Sequence, residues 1–83
     1  MPHIKKEDRE QYDKALHKVP EILTKGDLEY CVFQLLKKYM STRAHRYTTL
    51  HEAVYGAIHA AEEYKRLYLD KREDKAIEEN GVA

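Results

Sequence analysis

The sequence has little of what normally braces or anchors a small protein. Its 83 residues include one cysteine, two prolines, three glycines, one phenylalanine and no tryptophan. A single cysteine, Cys31, cannot close a disulfide within the chain, so nothing indicates an oxidising compartment. No run approaches the roughly 18 to 20 apolar residues of a membrane span, and the start MPHIKKEDRE is charged. We therefore expect a soluble cytoplasmic protein with no membrane partner.

The chain also has no excess of positive or negative charge, because 15 lysines and arginines balance 15 aspartates and glutamates. A neutral chain gains little from releasing the counterions of a polyanion, so we expect no extended nucleic acid as a partner, and a nucleic-acid-associated accessory role is disfavoured. A local basic pocket remains compatible with this balance. The sequence contains no catalytic motif, and we expect a binding protein rather than an enzyme, with no cofactor.

Length limits how stable the isolated chain can be. We expect one α-helical domain, residues 1–83, with residues 1–5 and 80–83 flexible. A domain of this size buries only a modest fraction of its surface, and such domains often need a supplement such as oligomerisation. The sequence therefore predicts a homo-oligomer.

Helical periodicity dominates the middle of the chain. Gly26 is expected to end the preceding segment, and Asp27 to cap the next one. An amphipathic stripe follows at i, i+3, i+4 and i+7, and its members are Leu28, Cys31, Val32, Leu35, Leu36, Tyr39 and Met40. Tyr30, Phe33 and Lys37 form a second stripe that one neighbouring helix cannot also cover. This surplus predicts an interface, either with another subunit or with another protein.

The next helix is predicted to start at the segment Thr49–Glu52, which has the capping-box pattern. Its apolar stripe consists of Leu50, Ala53, Val54, Ala57, Ile58, Ala61, Tyr64 and Tyr68. Small residues dominate the first turns of this stripe, so the backbone of another helix can approach closely. The helix is expected to end near Asp70, or to continue toward Glu79 before Asn80-Gly81 stops it.

The segment before Gly26 is also helical in pattern, but Pro20 removes a backbone donor within it. We expect two short helices or one kinked helix between Lys6 and Thr24. With no strand pattern, the sequence predicts an all-α fold, a small helical bundle built on an antiparallel pair of helices, 28–40 and 50–70.

The connection YMSTRAHRYTTLHE is the strongest candidate for a binding site. Arginines and threonines precede a helix N-terminus, where free N–H groups and the helix dipole attract anions such as phosphate. Tyrosines flank the loop and are able to stack on a base. The predicted ligand-binding residues are Tyr39, Arg43, Arg46, Tyr47, Thr48 and Thr49. The alternative is a solvated connector in which the threonines only cap the helix.

Two further features are interpreted as structural. His51 and His59 lie on one helix face with Tyr55, but eight residues separate them by about 12 Å, too far for one metal ion. We therefore expect no metal site, and a solvated or interface face instead. Cys31 falls on an apolar stripe and is expected to be a buried hydrophobe rather than a nucleophile.

Four segments cover most of the chain: MPHIKKEDREQYD, GDLEYCVFQLLKKYM, RYTTLHEAVYGAIHAAEEYKR and EDKAIEENG. Together they resemble a family of short proteins encoded mainly by tailed bacteriophages and their prophages. Pro20 and the ending Gly81-Val82-Ala83 depart from the family's pattern. The family brings no established activity, so it assigns no catalytic residue to this chain.

By analogy with small oligomeric phage proteins, the resemblance implies action by occupying a host component. The first hypothesis is therefore a non-enzymatic homo-oligomer that sequesters a phosphorylated nucleotide-like ligand, as an anti-defence sponge for an immune signalling nucleotide. The alternative is an interaction module that binds and modulates a host protein through Tyr30, Phe33 and Tyr55.

Overall fold

The computed structural model describes residues 4–81, and every regular element in that range is helical. The elements are α1 (Lys6–His17), α2 (Lys25–Met40), α3 (Tyr47–Tyr64), a π-helical turn (Lys65–Leu69) and α4 (Asp70–Asn80). The predicted all-α class is confirmed. The predicted flexible ends fall partly on residues 1–3 and 82–83, which lie outside the described residues.

The first helix ends before Pro20. Lys18 and Val19 donate their backbone N–H groups to carbonyls three residues back, which tightens the last turn. Pro20 offers no N–H group and disfavours helical geometry at Val19. The predicted second short helix, or kinked continuation to Thr24, is therefore wrong, since residues 18–24 contain no further helix.

The second helix begins at a reciprocal cap formed by Thr24 and Asp27. The Thr24 hydroxyl accepts the Asp27 N–H at 3.0 Å, and the Asp27 carboxylate accepts the Thr24 N–H at 3.2 Å. Thr24 is therefore the N-cap, with extended backbone at φ −124° and ψ 162°. The expectation that Asp27 is the N-cap and that Gly26 ends the previous segment is wrong. Both residues belong to the first turn of α2, because this threonine and aspartate satisfy each other's backbone donors.

The third and fourth helices form one continuous run from Tyr47 to Asn80, joined by the π turn. The longer of the two predicted extents is the correct one. Gly81 ends the run with φ 77°, a conformation that favours glycine, while its N–H bonds to the Ile77 carbonyl at 2.7 Å. The Asn80-Gly81 stop is thus in the predicted place.

Two ion pairs hold the π turn to its flanking helices. Arg66 donates to the Glu63 carboxylate at 2.6 Å, which lowers the pKa of Glu63 and raises that of Arg66. Lys65 donates to Asp70 at 2.7 Å, and this hydrogen bond raises the pKa of Lys65. Because the lysine and arginine heads are largely exposed, these pairs add little to stability.

The packing of the helices leaves almost all apolar side chains uncovered. In the described range α2 packs against α3, whereas α1 packs against no other helix. Met40 and Ala53, each 7% exposed, are the only buried residues of that range. Exposed large hydrophobic side chains occur on every helix, for example Leu16, Phe33 and Tyr68. The apolar stripes predicted on α2 and α3 therefore cover each other only in part, and no further helix of the described range covers the rest.

The shape of the chain agrees with this packing. Its radius of gyration is 16.4 Å, against about 12 Å for a compact domain of this length. The longest dimension is 50 Å, close to the length of one straight helix over residues 47–80 at about 1.5 Å per residue. No helix within residues 4–81 is both long and apolar enough to cross a membrane.

Candidate binding surfaces around the contact of α2 and α3

The predicted ligand corner lies between Met40, the last residue of α2, and Tyr47, the first of α3. The Ser41 hydroxyl donates to the Lys38 carbonyl at 2.7 Å and closes the end of α2. Arg46 is the extended N-cap residue of α3, with φ −103° and ψ 160°. The predicted start of α3 at Leu50, with Thr49 as N-cap, is wrong.

Thr49 instead lies in the first turn of α3, and its hydroxyl forms hydrogen bonds with the residues that connect α2 to α3. Its hydroxyl oxygen accepts the Arg46 backbone N–H at 3.1 Å. The same hydroxyl donates to the Ala44 carbonyl. Because the hydroxyl proton is used within the connection, Thr49 cannot also donate it to a phosphate oxygen. The pairing of Thr49 with Glu52 as a capping box is likewise wrong, since Glu52 bonds elsewhere.

Tyr39 and Arg43 are engaged with each other. The Arg43 guanidinium lies 3.7 Å from the centroid of the Tyr39 ring, and its Nη1 donates to the Tyr39 carbonyl. The Tyr39 hydroxyl donates to the Glu52 carboxylate at 3.0 Å, which links α2 to α3. A cation already covers one face of the Tyr39 ring, so this ring is poorly placed to stack on a base.

Arg46, Tyr47 and Thr48 form the open part of the corner, since all three are exposed. Tyr47 is 81% exposed. Within residues 4–81 the side chains of Arg46 and Thr48 make no hydrogen bond or ion pair. The six predicted ligand residues therefore divide, with Tyr39, Arg43 and Thr49 held in local polar contacts and Arg46, Tyr47 and Thr48 exposed at the start of α3.

A row of alternating tyrosine and histidine follows one face of α3. His51 stacks on Tyr55 with ring centroids 4.2 Å apart, and the Tyr47 ring lies 5.6 Å from His51. The His59 ring lies 6.0 Å from Tyr55 and completes the row. Among residues 4–81 no three His, Cys, Asp or Glu side chains are grouped to hold a metal ion. The row is an exposed aromatic surface.

A large groove opens on one side of the α2–α3 contact, with a volume of about 990 Å³. We call it the α2/α3 groove. The large residues Leu28, Val32, Leu35 and Leu36 line its α2 wall. The small residues Ala53, Gly56, Ala57, Ala60 and Ala61 line its α3 wall. Its lining is completed by Tyr64 and by the hydrogen-bonded pair Tyr39 and Glu52. The groove is thus apolar, with a different side-chain size on each wall.

A smaller hollow of about 320 Å³ shares Leu36 and Ala53 with the groove. Phe33, Leu50 and Val54 supply its exposed apolar lining. We call it the Phe33 hollow. Tyr30 and Tyr55, predicted to share an interface with Phe33, do not line it. Tyr55 lies in the tyrosine–histidine row, and Cys31 is a half-buried free thiol.

Sequence reasoning missed two of these contacts. The Thr24–Asp27 cap had a readable signal, because threonine followed three residues later by a carboxylate is the capping-box pattern. The Tyr39–Glu52 bond had none, since it depends on how the connection between α2 and α3 folds.

These features define a small all-α protein with open apolar and aromatic surfaces. The chain belongs to the family described as a domain of unknown function, DUF6899, whose model matches residues 1–82. No curated protein matches the chain. No solved structure matches it either.

Thr49→Val should lower the free energy of unfolding by about 1 kcal/mol, because it keeps the side-chain shape and removes the hydroxyl that bonds Arg46 and Ala44. Urea titration followed by circular dichroism measures this loss. Thr48→Val is the matched control, and should stay within about 0.5 kcal/mol of wild type. Equal losses of unfolding free energy in both variants would contradict the assignment of these hydrogen bonds to Thr49.

Proposed function

We propose that the chain is a non-enzymatic, homo-oligomeric binding protein that attaches to another protein through its exposed apolar surface. The observation that carries this proposal is the near absence of burial, with only Met40 and Ala53 buried in residues 4–81. Apolar surface left in water is unfavourable at about 25 cal/mol per Å². Large exposed apolar patches on a soluble protein mark interaction sites.

The arrangement of α2 and α3 supports a single binding unit, and we take them as an antiparallel pair. The Tyr39–Glu52 bond lies next to their short connection. Leu28, near the start of α2, and Tyr64, at the end of α3, line the same groove. In such a pair the α2/α3 groove and the Phe33 hollow lie on either side of the helix contact, so two partners have room to bind at once.

The Phe33 hollow is the surface that we assign to the second protein. Phe33 is 59% exposed and Val54 is 49% exposed. Interfaces concentrate binding energy on a few apolar and aromatic anchors that fill pockets. The adjoining tyrosine–histidine row offers further aromatic area with polar tips, which suits an interface. The resemblance to small phage proteins supports a host protein as the partner and the host cytoplasm as the location.

Phe33→Glu should weaken binding of the partner protein by about 30-fold or more, because it removes the aromatic anchor and places a carboxylate where the partner would exclude water. The partner is captured on immobilised wild-type chain, purified, and titrated by calorimetry. Leu23→Glu is the matched control, since Leu23 is 77% exposed and lines neither surface. Capture of no partner by wild type, or equal binding by both variants, would contradict the proposal.

A nucleotide-like ligand at the corner is the second candidate function, favoured by the open group of Arg46, Tyr47 and Thr48. A helix N-terminus attracts phosphate, an arginine binds it through charge-assisted bonds, and an exposed ring can stack on a base. If this is the function, the protein sequesters an immune signalling nucleotide as an anti-defence sponge. The engagement of Tyr39, Arg43 and Thr49 in local contacts reduces the number of available ligand groups, so we place this candidate second.

Arg46→Ala should lower affinity for such a nucleotide by about 10-fold to 150-fold, since a charge-assisted bond contributes about 1.5 to 3 kcal/mol. Arg43→Ala is the control and should have a smaller effect, because Arg43 is already held on Tyr39. Calorimetric titration with a panel of linear and cyclic nucleotides measures both variants. Failure of wild type to bind any of them below about 100 µM, near −5.5 kcal/mol, removes this candidate.

A further inference from the structure

The α2/α3 groove has two unlike walls, and this asymmetry determines what fits it. Its α2 wall carries branched side chains such as Leu28, Val32 and Leu35, and its α3 wall carries Gly56 and Ala60. A helix bearing large side chains fits against small residues, because the distance between helix axes depends on the side chains at the contact. The chain itself offers such a helix in α2.

We propose that a second copy of this chain fills the groove, with the large side chains of each α2 seated on the small residues of the other copy's α3. This inference rests on the homo-oligomeric state proposed above and names the face that produces it. In a two-fold dimer the same patch meets itself, so each large wall contacts a small wall. The two copies then form a dimer that leaves the Phe33 hollow open for a different protein.

Gly56 gives an independent reason to expect a close neighbour. Glycine within a helix is less stable than alanine, so a helix keeps it where something approaches closely. In the single chain a Cβ atom built on Gly56 would meet no atom within 4 Å. The described part of the chain therefore gives no steric reason for glycine at this place. A helix of a second copy lying against Gly56 supplies one.

The surface area of the chain is large enough for a stable dimer. The accessible surface is 7989 Å², against about 5,200 Å² for a compact monomer of 9.8 kDa. The excess is about 2,800 Å² for each chain and about 5,600 Å² for two chains, which is enough to supply the roughly 2,000 to 5,000 Å² of total surface that obligate homodimers bury over both partners. Docking of a second copy therefore provides the burial that the single chain lacks.

Net charge does not oppose this association, and the one carboxylate at the groove keeps a hydrogen bond. Glu52 is the only charged residue that lines the groove, and its carboxylate already accepts the Tyr39 hydroxyl at 3.0 Å. Docking therefore buries no carboxylate without a hydrogen bond. The chain has a net charge of zero with neutral histidines, so two copies do not repel each other through net charge.

The first test maps the contact on the wild-type protein. A dimer mixed from isotope-labelled and unlabelled chains is examined by filtered NOE spectroscopy, which detects contacts between copies only. We expect cross-peaks from the Val32 and Leu35 methyls of one copy to the Ala57 and Ala60 methyls of the other. Cross-peaks between copies at Phe33 and Val54 in place of these would overturn the inference. The inference would also be overturned if α1 of the same chain, or a co-purified peptide, were found in the groove.

The second test uses a pair of matched variants, measured by sedimentation and light scattering. Ala60→Glu places a charge in the groove and should raise the dimer dissociation constant by at least about 100-fold. Ala60 is exposed in the single chain, so a folded monomer can accept the change. Ala76→Glu, the same change on an exposed residue of α4, should leave the constant within about 3-fold of wild type. If Ala60→Glu fails to fold, the wild-type NOE map decides.

The results separate this inference from the binding of another protein. Wild type that stays at 9.8 kDa at micromolar concentration, yet binds a partner through Phe33, overturns the dimer and the homo-oligomeric state and leaves the protein-binding proposal standing. A dimer with the expected cross-peaks that captures no partner protein supports the inference and overturns the protein-binding proposal.

Discussion

The described part of the chain has too few packed helices to cover its apolar side chains, and the rest of the structure depends on this constraint. Each helix carries apolar residues, but in the described range α2 and α3 are the two separate helices that pack against each other. Hydrophobic burial is the dominant favourable term in folding, and it must exceed the conformational entropy of the chain. A structure that buries only Met40 and Ala53 leaves most of this term unused. We propose that association with a second copy recovers it.

Polar contacts at the turn between α2 and α3 fix their relation before any partner binds. Thr49 closes the connection, Arg43 folds back onto Tyr39, and Tyr39 reaches across to Glu52. Each of these contacts is partly solvated, so each contributes modestly. Together they hold the α2/α3 groove and the Phe33 hollow in a defined geometry. A preformed surface reduces the ordering cost of binding, which favours a binding role.

Periodicity was sufficient to predict that α2 and α3 are helices, because their apolar residues repeat every three or four positions. The stop at Asn80-Gly81 was also readable, since glycine accepts the backbone conformation that ends α4. The start of α3 was not, because its N-cap is Arg46, whose side chain makes no capping hydrogen bond, and the Thr49 hydroxyl bonds back to Arg46 rather than capping the turn that follows. The local contacts of Tyr39, Arg43 and Thr49 at the predicted ligand corner were not readable from the sequence either. Composition does not show that Arg43, just after the end of α2, donates a hydrogen bond to the Tyr39 carbonyl.

The central claim is that association of two copies supplies the burial that the single chain lacks and so stabilises the fold, and the dependence of thermal unfolding on protein concentration tests it most directly. For a dimer that unfolds to separate chains, a 100-fold rise in concentration stabilises the folded state by about 2.7 kcal/mol. The melting temperature should then rise by about 5 to 10 °C. A melting temperature that stays constant over this range, with a single chain of 9.8 kDa in solution, would contradict the account.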